Sequence, residues 1–478
     1  MTEPSIPPPS FNQRFEDARR INRRAVVVVG AGPAGLAVSA CLTRAGIEHE
    51  VLERSHEVGS SWRRHYRRLH LHTVKHQSAL PYLPWPEESP LFPAREDVVR
   101  YLEEYADHFG IQPRFGVTVR SAFRHRDRWR IQTNAGTWSA RCLVWATGFN
   151  RVPIRPSFDG MTEFEGSVVH SGDYQDGEPY RGQNVLVVGS GNSGAEIAVD
   201  LHEHGARATL VARSPVHVAK RTFWGLHAQE SAIRLARLPN VVADVIMRIA
   251  SRIGLGNLRP YGLSPPAMGP MTQIKTRGRM PIIDVGLVPL VKAGRIKVVP
   301  GIARFGAQTV TLEDGTTRDV EAVVLATGYR TGLHGLFRHP RPYLDDEGRP
   351  RAFGSEVAKA RLFFLGFANP PTGALREIEP LCVLDFYVHE SCQRRGLGKA
   401  LYDGQTVPAH LVRAVYKHIL GVPMGLVDMA SVDRELHKQL LWLHTNTGAA
   451  ALGLDFTCTQ NAFGVSSVVE LAPGGADT

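Results

Sequence analysis

The stretch Ala25-Val26-Val27-Val28-Val29-Gly30-Ala31-Gly32-Pro33-Ala34-Gly35 decides the fold of this chain. Its β-branched start is typical of a parallel strand that is buried on both faces. Residues 36–44 that follow read as a helix ended by Gly46. Glycines between a strand and a helix permit a tight turn and let the backbone approach a pyrophosphate, whose charge is met by the N–H groups at the helix start. The stretch therefore predicts a dinucleotide-binding unit, with Gly30, Gly32 and Gly35 in its turn.

The next predicted strand ends on an acidic residue. Residues 49–53 read as a strand ending on Glu53, roughly 20 residues beyond the loop, where a carboxylate can bond ribose hydroxyls. We assign Glu53 and the adjacent Arg54 to the same cofactor site. Strand, loop, helix and acid together are far more specific than a glycine pattern alone, whose alternative meaning is a tight turn without a ligand.

A second unit of the same kind begins at residue 184. Residues 184–188 read as a strand, 195–204 as a helix and 208–212 as the returning strand. This strand ends in Arg213-Ser214 where an acid would favour NAD; a guanidinium fork suits a 2′-phosphate, so NADPH is predicted, with a solvated surface arginine as the alternative. The residues assigned to this second site are Gly189, Gly191, Asn192, Ser193, Gly194, Arg213 and Ser214.

Two sites with unlike endings suggest a flavin, FAD, and a reduced nicotinamide that exchange a hydride. Between the loops, residues 164–174 resemble the Phe-x-Gly-x-x-x-His-x-x-x-aromatic signature of flavin-containing monooxygenases. The match covers Phe164, Gly166, His170 and Tyr174. The resemblance places His170 on the linker between domains and implies a structural or cofactor-coupling role for it, whereas a lone histidine would read as an ordinary linker residue.

Further matches extend the resemblance over about residues 25–376. Ala146-Thr147-Gly148 and Ala326-Thr327-Gly328 each follow an apolar strand, as at the chain crossings of the family, and residues 61–81 and 279–298 resemble the plant auxin-forming subgroup. The resemblance implies that Trp62, Thr327 and Gly328 contact a cofactor and makes Lys75, with His170, a candidate for the catalytic set. Taken singly, Trp62 is a packing aromatic and Lys75 a surface lysine.

The resemblance also implies the chemistry. NADPH reduces the flavin, dioxygen adds to the reduced ring, and the resulting C4a-(hydro)peroxyflavin transfers one oxygen atom to a small organic substrate inside a dry site. The substrate is a 2-oxo acid, towards which the auxin-type resemblance points, or a soft nitrogen or sulfur nucleophile. An uncoupled NADPH oxidase that makes hydrogen peroxide is the alternative within enzymes, and an inactive mosaic or acetyl-coenzyme-A-binding interaction protein is the alternative outside them.

The expected architecture is α/β, with two interleaved Rossmann-like domains and a C-terminal tail foreign to the family. Residues 1–24 are polar and proline-rich and read as a disordered or surface tail. The remaining ranges are an FAD domain at 25–175 and 316–376, an NADPH domain at 176–315 with a helical insertion at 215–275, an acetyltransferase-like fragment at 377–402 and a HECT-like fragment at 403–478.

Composition and charge limit the kinds of partner and cellular location that we expect for this chain. The chain has 478 residues and a formal net charge of +10, but its basic residues are scattered, so we expect no nucleic-acid partner. Its five cysteines include no Cys-x-x-Cys pair, which favours a reducing, cytoplasmic location and excludes a dithiol reductase site beside the first helix. No metal site and no membrane span are predicted, and the sequence leaves the oligomeric state open. Residues 231–255 read as amphipathic helix covering the active site, with contact to a membrane surface as the open alternative.

The last hundred residues depart from the monooxygenase pattern. Residues 378–401, with the loop Gln393-Arg394-Arg395-Gly396-Leu397-Gly398, resemble the acetyl-coenzyme-A-binding region of tubulin acetyltransferases. Residues 407–478 resemble part of the N-terminal lobe of HECT-type ubiquitin ligases, and Cys458 does not stand in that family's catalytic context. The tail is thus predicted to be a mosaic of two partial domains that packs poorly.

Overall fold

The computed structural model describes residues 21–223, 225–354 and 356–365, and the backbone of two further strands near the C-terminus. The acetyltransferase-like fragment and most of the HECT-like fragment lie outside the described residues. The α-helices are Pro33–Arg44 (α1), Ser60–Arg64 (α2), Arg95–His108 (α3), Asn192–Glu203 (α4), Ala228–Ala236 (α5), Asn240–Leu255 (α6), Pro270–Arg277 (α7) and Leu287–Lys292 (α8). The strands are Ile21–Val29 (β1), His49–Leu52 (β2), Val119–His125 (β3), Arg128–Thr133 (β4), Gly136–Trp145 (β5), Val152–Pro153 (β6), Ser167–His170 (β7), Asn184–Val188 (β8), Arg207–Val211 (β9), Val218–Lys220 (β10), Thr222–Phe223 (β11), Leu226–His227 (β12), Ile282–Asp284 (β13), Lys297–Val299 (β14), Ile302–Phe305 (β15), Thr309–Leu312 (β16), Thr317–Asp319 (β17), Ala322–Leu325 (β18), Tyr329–Arg330 (β19), Leu362–Phe364 (β20), Leu454–Cys458 (β21) and Val469–Pro473 (β22).

The first sheet is built around β1. Its strand order is β2-β1-β5-β4-β3, with β20 pairing on β5. The pairs β1 with β2, β1 with β5 and β5 with β20 are parallel, and β3, β4 and β5 form an antiparallel meander. Val26, Val27 and Val28 are completely buried. This confirms the expectation of a strand covered on both faces.

The second sheet is entirely parallel, in the order β14-β9-β8-β18-β7. It contains β7 and β18, although the sequence boundaries at 175 and 316 had grouped residues 167–170 and 322–325 with the first domain. Those boundaries differ from the structure because β18 pairs with both β7 and β8, so the first strand of the second sheet begins at residue 167 and its last strand ends at residue 325. The two units are nevertheless interleaved, which confirms the predicted fold class.

The insertion between β9 and β13 is mainly helical. It comprises α5, α6 and α7 with the short strands β10 to β12. The carboxylate of Asp244 on α6 accepts hydrogen bonds from the first two backbone N–H groups of α7, at 2.7 and 3.0 Å. Negative charge is stabilising at the start of a helix, where the backbone N–H groups give partial positive charge. This contact fixes α6 and α7 relative to each other.

Helix α4 joins the two units, because three carboxylates along it are held by residues from outside the second sheet. The Arg68 guanidinium donates two hydrogen bonds to Glu203, at 2.7 and 2.9 Å, and the Tyr174 hydroxyl donates one to Asp200 at 2.5 Å. His72 contacts Glu196, and both side chains are buried. These contacts place the loop before α4 in a fixed position against the first unit.

Candidate functional site

The first glycine loop has the geometry of a phosphate cradle. Gly30 has φ +108°, and a Cβ on it would collide with the carbonyl oxygen of Ala146; a Cβ on Gly35 would overlap the carbonyl oxygen of Gly30. A Cβ on Gly32 would meet nothing within 4 Å. Gly30 and Gly35 are therefore required by packing, whereas Gly32 faces open space in front of helix α1. No side chain caps that helix, whose first N–H groups lack intrahelical acceptors.

Glu53 lies at the predicted place, at the end of β2, and is buried. Oε2 of its carboxylate accepts a hydrogen bond from the N–H of Ala31 in the glycine loop, at 2.7 Å, and Oε1 accepts from the N–H and the hydroxyl of Ser55, at 2.9 and 2.8 Å. With two lone-pair positions per oxygen, Oε2 keeps acceptor capacity for a ribose hydroxyl. The acid thus fixes the loop and remains able to bind a sugar.

A cavity of about 100 Å³ lies between this loop and the crossing segment that follows β5. Glu53 and Arg54 line it together with Gly30 and Gly32, and the cavity continues to Thr147 and Gly148. Backbone N–H groups at a helix start, a carboxylate and arginines are the donor and acceptor set that the pyrophosphate and ribose of FAD need. The residues present therefore fit the adenosine diphosphate half of FAD.

Trp62 and Lys75, which the subgroup resemblance marked, do not line either of the described cavities. Trp62 on α2 is buried, with its ring 6.1 Å from that of His65, and is not among the residues that line the described cavities. The Lys75 ammonium group donates hydrogen bonds to the carbonyl oxygens of Pro86, Glu87 and Ser89, at 3.1, 2.5 and 2.8 Å. Because the three N–H donors of the ammonium group have three backbone acceptors, Lys75 holds the loop at residues 86–89 in place.

The second loop repeats the geometry of the first. Gly189 has φ +120°, and its Cβ would collide with the carbonyl oxygen of Ala326, as that of Gly30 would with Ala146. A Cβ on Gly194 would overlap the carbonyl oxygen of Gly189, whereas one on Gly191 would meet nothing within 4 Å. Helix α4 also starts without a side-chain cap. Both loops thus present an open glycine to a helix start, which fits a second pyrophosphate.

Asn192 and Ser193, assigned to this site from the sequence, have protein partners. The Asn192 side-chain oxygen accepts a hydrogen bond from the N–H of Ile283 at 2.7 Å, and its nitrogen donates to the Pro281 carbonyl oxygen at 3.4 Å. Ser193 bonds to the hydroxyl of Tyr66, whose pKa burial raises well above its usual range. Their side chains therefore position the loop, and their backbone N–H groups are at the helix start.

Arg213 and Ser214 lie where the sequence places them, just beyond the end of β9. Arg213 is exposed, and Ser214 is partly buried. An exposed guanidinium at the end of the second strand of such a unit has room for a 2′-phosphate. The position agrees with the prediction of NADPH.

The four signature residues have structural contacts that the sequence did not reveal; that of Tyr174 with Asp200 on α4 is described above. The ring of Phe164 packs edge-on against that of Phe305, with 5.4 Å between the ring centroids. A Cβ on Gly166 would collide with the Glu321 carbonyl oxygen. His170 is fully buried, accepts a hydrogen bond on Nδ1 from the N–H of Gly172, and contacts the Gly328 carbonyl oxygen through Nε2, each at 3.1 Å.

These contacts fix the protonation state of His170. Nδ1 is an acceptor, so Nε2 carries the proton and donates it to Gly328; burial lowers the pKa of the imidazole, which keeps it neutral. Gly328 belongs to the second chain crossing, where Thr327 also donates to the Ile154 carbonyl oxygen at 2.5 Å. The geometry supports a structural role for His170, as the resemblance implied, by joining β7 to the crossing that follows β18.

A much larger cavity, of about 840 Å³, lies beneath the helical insertion. Its wall is mostly apolar, with Val216, Val218 and Leu235 among the residues that form it, and His72 and Thr73 contribute polar groups from the first unit. The described lining residues include Lys220, Arg248, Arg252 and Arg259 and no aspartate or glutamate. The cavity therefore suits a ligand with an apolar body and a negative charge.

His72 and Glu196 are site residues that the sequence analysis missed. They form a buried contact across the two units, and Nδ1 of His72 is buried without a hydrogen-bond partner. Glu196 stands four residues after Asn192 in a helix that otherwise begins with small side chains, which is the one sequence signal that marked it. Nothing in the sequence indicated that residue 72 would lie opposite it.

The described cysteines are unsuited to redox chemistry. Burial raises the pKa of the Cys41 thiol to about 11, and burial also raises that of Cys142 above its ordinary range. Thiolates are the reactive form, so both remain inert thiols at neutral pH.

Three family profiles match different parts of the chain. Residues 27–225 match the sequence profile of the pyridine nucleotide-disulphide oxidoreductases. Residues 364–407 match that of the Mec-17 GNAT acetyltransferases, and residues 395–478 that of the HECT domain of ubiquitin transferases. The two resemblances predicted for the tail are thereby confirmed.

Monooxygenases are among the proteins that are similar to the main part of the chain. The probable indole-3-pyruvate monooxygenase YUCCA7 of Arabidopsis thaliana is 42% identical over 358 residues, which cover 72% of this chain and 83% of that protein. The flavin-containing monooxygenase of Stenotrophomonas maltophilia has a TM-score of 0.59 at 21% identity, covering 82% of this chain and 99% of that one. An oxidized steroid monooxygenase bound to NADP has a TM-score of 0.59 at 19% identity, covering 81% and 86%. With this identity and coverage, and with two glycine loops on interleaved sheets, the chain belongs to the YUCCA group of flavin-containing monooxygenases.

Proposed function

We propose that the protein is an FAD- and NADPH-dependent monooxygenase that transfers one oxygen atom from O₂ to a 2-oxo acid with an apolar side chain. The observation that carries the proposal is the pair of matching loops, each with an open glycine before an uncapped helix. When bound, a flavin supplies the two-electron chemistry that accepts a hydride from NADPH and activates O₂.

The residues of this chain perform the binding and positioning. The first loop and Glu53 hold FAD, and the second loop with Arg213 holds NADPH. The carboxylates of α4, bound by Arg68, His72 and Tyr174, keep the second loop in a fixed place relative to the first unit. Hydride transfer requires such a fixed geometry between the two cofactors.

The large cavity supports the choice of substrate class. Its mostly apolar wall accommodates an aromatic or aliphatic side chain and disfavours water, whose exclusion activated oxygen chemistry needs. Its basic residues favour a carboxylate, and the absence of acids among its described lining residues disfavours an amine. YUCCA7 is named for indole-3-pyruvate, a 2-oxo acid of this description.

Turnover with a panel of substrates tests the proposal. The FAD-loaded protein is given NADPH and ¹⁸O₂ with indole-3-pyruvate, phenylpyruvate, a tertiary amine or a thioether, and product label, NADPH consumption and hydrogen peroxide are measured. We expect labelled product with the 2-oxo acids, close to one per NADPH consumed. Peroxide equal to NADPH with every substrate would identify an uncoupled oxidase instead. Product only from the amine or thioether would overturn the substrate class.

A further inference from the structure

The outer face of helix α6 is an apolar surface that is largely exposed in the described part of the chain. Its side chains Val241, Val242, Val245, Ile246, Ile249 and Ile253 are 41 to 75% exposed. At 100° per residue these six positions fall on one side of the helix, and Leu238, just before it, continues the stripe at 39% exposure. The sequence analysis expected this amphipathic helix to cover the active site; the inner face of the helix lines the 840 Å³ cavity, whereas the apolar stripe turns outward.

The opposite face of α6 accounts for its attachment to the protein. Ala243 and Leu255 are buried, and Ser251 donates a hydrogen bond to the Val218 carbonyl oxygen at 2.9 Å. Asp244 is held by the N-terminus of α7, as described above. The helix is thus fixed from below, and the apolar stripe is presented as a rigid surface. Monomeric proteins rarely expose contiguous apolar patches of this kind unless the patch binds something.

The charges around the stripe identify what it binds. Arg234 on α5 and Arg237 just after it are exposed, as are Arg248 and Arg252 on α6, which also contribute to the wall of the cavity. The two acids of these helices are engaged, Glu230 by His76 and Asp244 by α7. The rim of the stripe is therefore positive, which repels a second copy carrying the same arginines and attracts an anionic surface.

We infer that α6 docks this protein onto an anionic lipid bilayer, with the aliphatic stripe in the acyl and headgroup boundary and the arginines on lipid phosphates. This is the arrangement of an interfacial amphipathic helix, which lies in the plane of the membrane. None of the helices in the described part of the chain has the length and apolar character that a membrane crossing requires. Met247 and Ser251, on the other side of α6, line the 840 Å³ cavity. Docking therefore brings the cavity next to the bilayer.

Vesicle flotation of the full chain tests the inference. We expect binding to phosphatidylcholine vesicles that contain about a third phosphatidylglycerol, and binding at least about tenfold weaker to pure phosphatidylcholine. The double variant Val245→Ser/Ile249→Ser should weaken binding to the anionic vesicles by about tenfold or more. The control Leu91→Ser/Val152→Ser removes two exposed aliphatic side chains elsewhere, at 42 and 41% exposure, and should bind as the parent does. Circular dichroism and melting temperature confirm that each variant is folded.

A fluorescent reporter gives an independent measurement. With Ile249→Trp, the emission should shift to shorter wavelength when anionic vesicles are added and should stay unshifted without them. Equal binding by the Val245→Ser/Ile249→Ser variant and the parent would overturn the inference, as would equal binding to the two kinds of vesicle. Emission that is already blue-shifted without vesicles would also overturn it: dependence on protein concentration would indicate a second copy on the stripe, and independence of concentration another segment of this chain.

Discussion

The substitution Gly32→Ala separates cofactor binding from folding. Gly32 caps helix α1 with φ −81° and ψ −176°, which alanine adopts without strain, and the new Cβ meets nothing within 4 Å. A glycine-to-alanine change at a compatible position stabilises the folded state by about 0.4 to 1 kcal/mol. The FAD-free protein should therefore melt at the parent temperature or slightly above it.

Binding of FAD should respond in the opposite way. A methyl group in front of the helix start occupies space that the pyrophosphate needs and displaces it from the loop N–H groups. Loss of two hydrogen bonds to a charged group, at about 1.5 to 3 kcal/mol each, weakens FAD binding by about 10² to 10⁴-fold. Titration of the FAD-free protein with FAD, followed by quenching of flavin fluorescence, measures the change.

The matched control lies in the second loop. Gly191→Ala makes the same change at φ −94° and ψ −174°, also with nothing within 4 Å. It should leave FAD affinity within about twofold of the parent and weaken NADPH instead. Parental FAD affinity in the Gly32→Ala protein, or equal loss of FAD in both variants, would refute the assignment of the first loop to FAD.

Three further predictions concern single residues. Gly35→Ala should destabilise the protein by more than about 3 kcal/mol and lower its melting temperature even without FAD, because the Cβ overlaps the Gly30 carbonyl oxygen; parental melting would contradict the packing role. Arg213→Ala should raise the KM for NADPH about tenfold or more and that for NADH less than threefold, and equal effects in steady-state kinetics would show that Arg213 does not read the 2′-phosphate. Burial, aided by Arg64, lowers the pKa of His65 to about 4. The unfolded chain binds this proton below about pH 6.5 and the folded one only near 4, so stability should fall by about 2 kcal/mol between pH 7.5 and 5. Urea unfolding at both pH values should show a smaller fall in His65→Phe, and an unchanged fall would exclude His65 as its source.

The cofactor loops could be predicted because local sequence specifies them almost completely. A run of valines, three glycines and a following helix dictate a strand, a turn and an open helix start, whatever the rest of the chain does. The α/β class, the strand–turn–helix form of both loops and the place of Glu53 after β2 were therefore correct, as was the likeness to flavin-containing monooxygenases, whereas the binding of each cofactor by these residues remains a prediction. Arg213 was placed at the right strand end by the same logic, and its role remains a prediction.

Long-range contacts decided those features of the fold and of the candidate site that the sequence did not predict. The sequence could not show that β7 and β18 pair within the second sheet, since pairing between residues 167–170 and 322–325 depends on how two distant segments meet. Nor could it show that Lys75 anchors a loop, that His72 meets Glu196, or that the apolar side of α6 faces outward. The helical period of α6 fixed which residues share a face, but only packing against α7 and β10 decided which face is covered. Local patterns determine the elements and their turns, because those depend on neighbouring residues, and tertiary structure decides which side chains meet, because burial and charge pairing act across the whole chain.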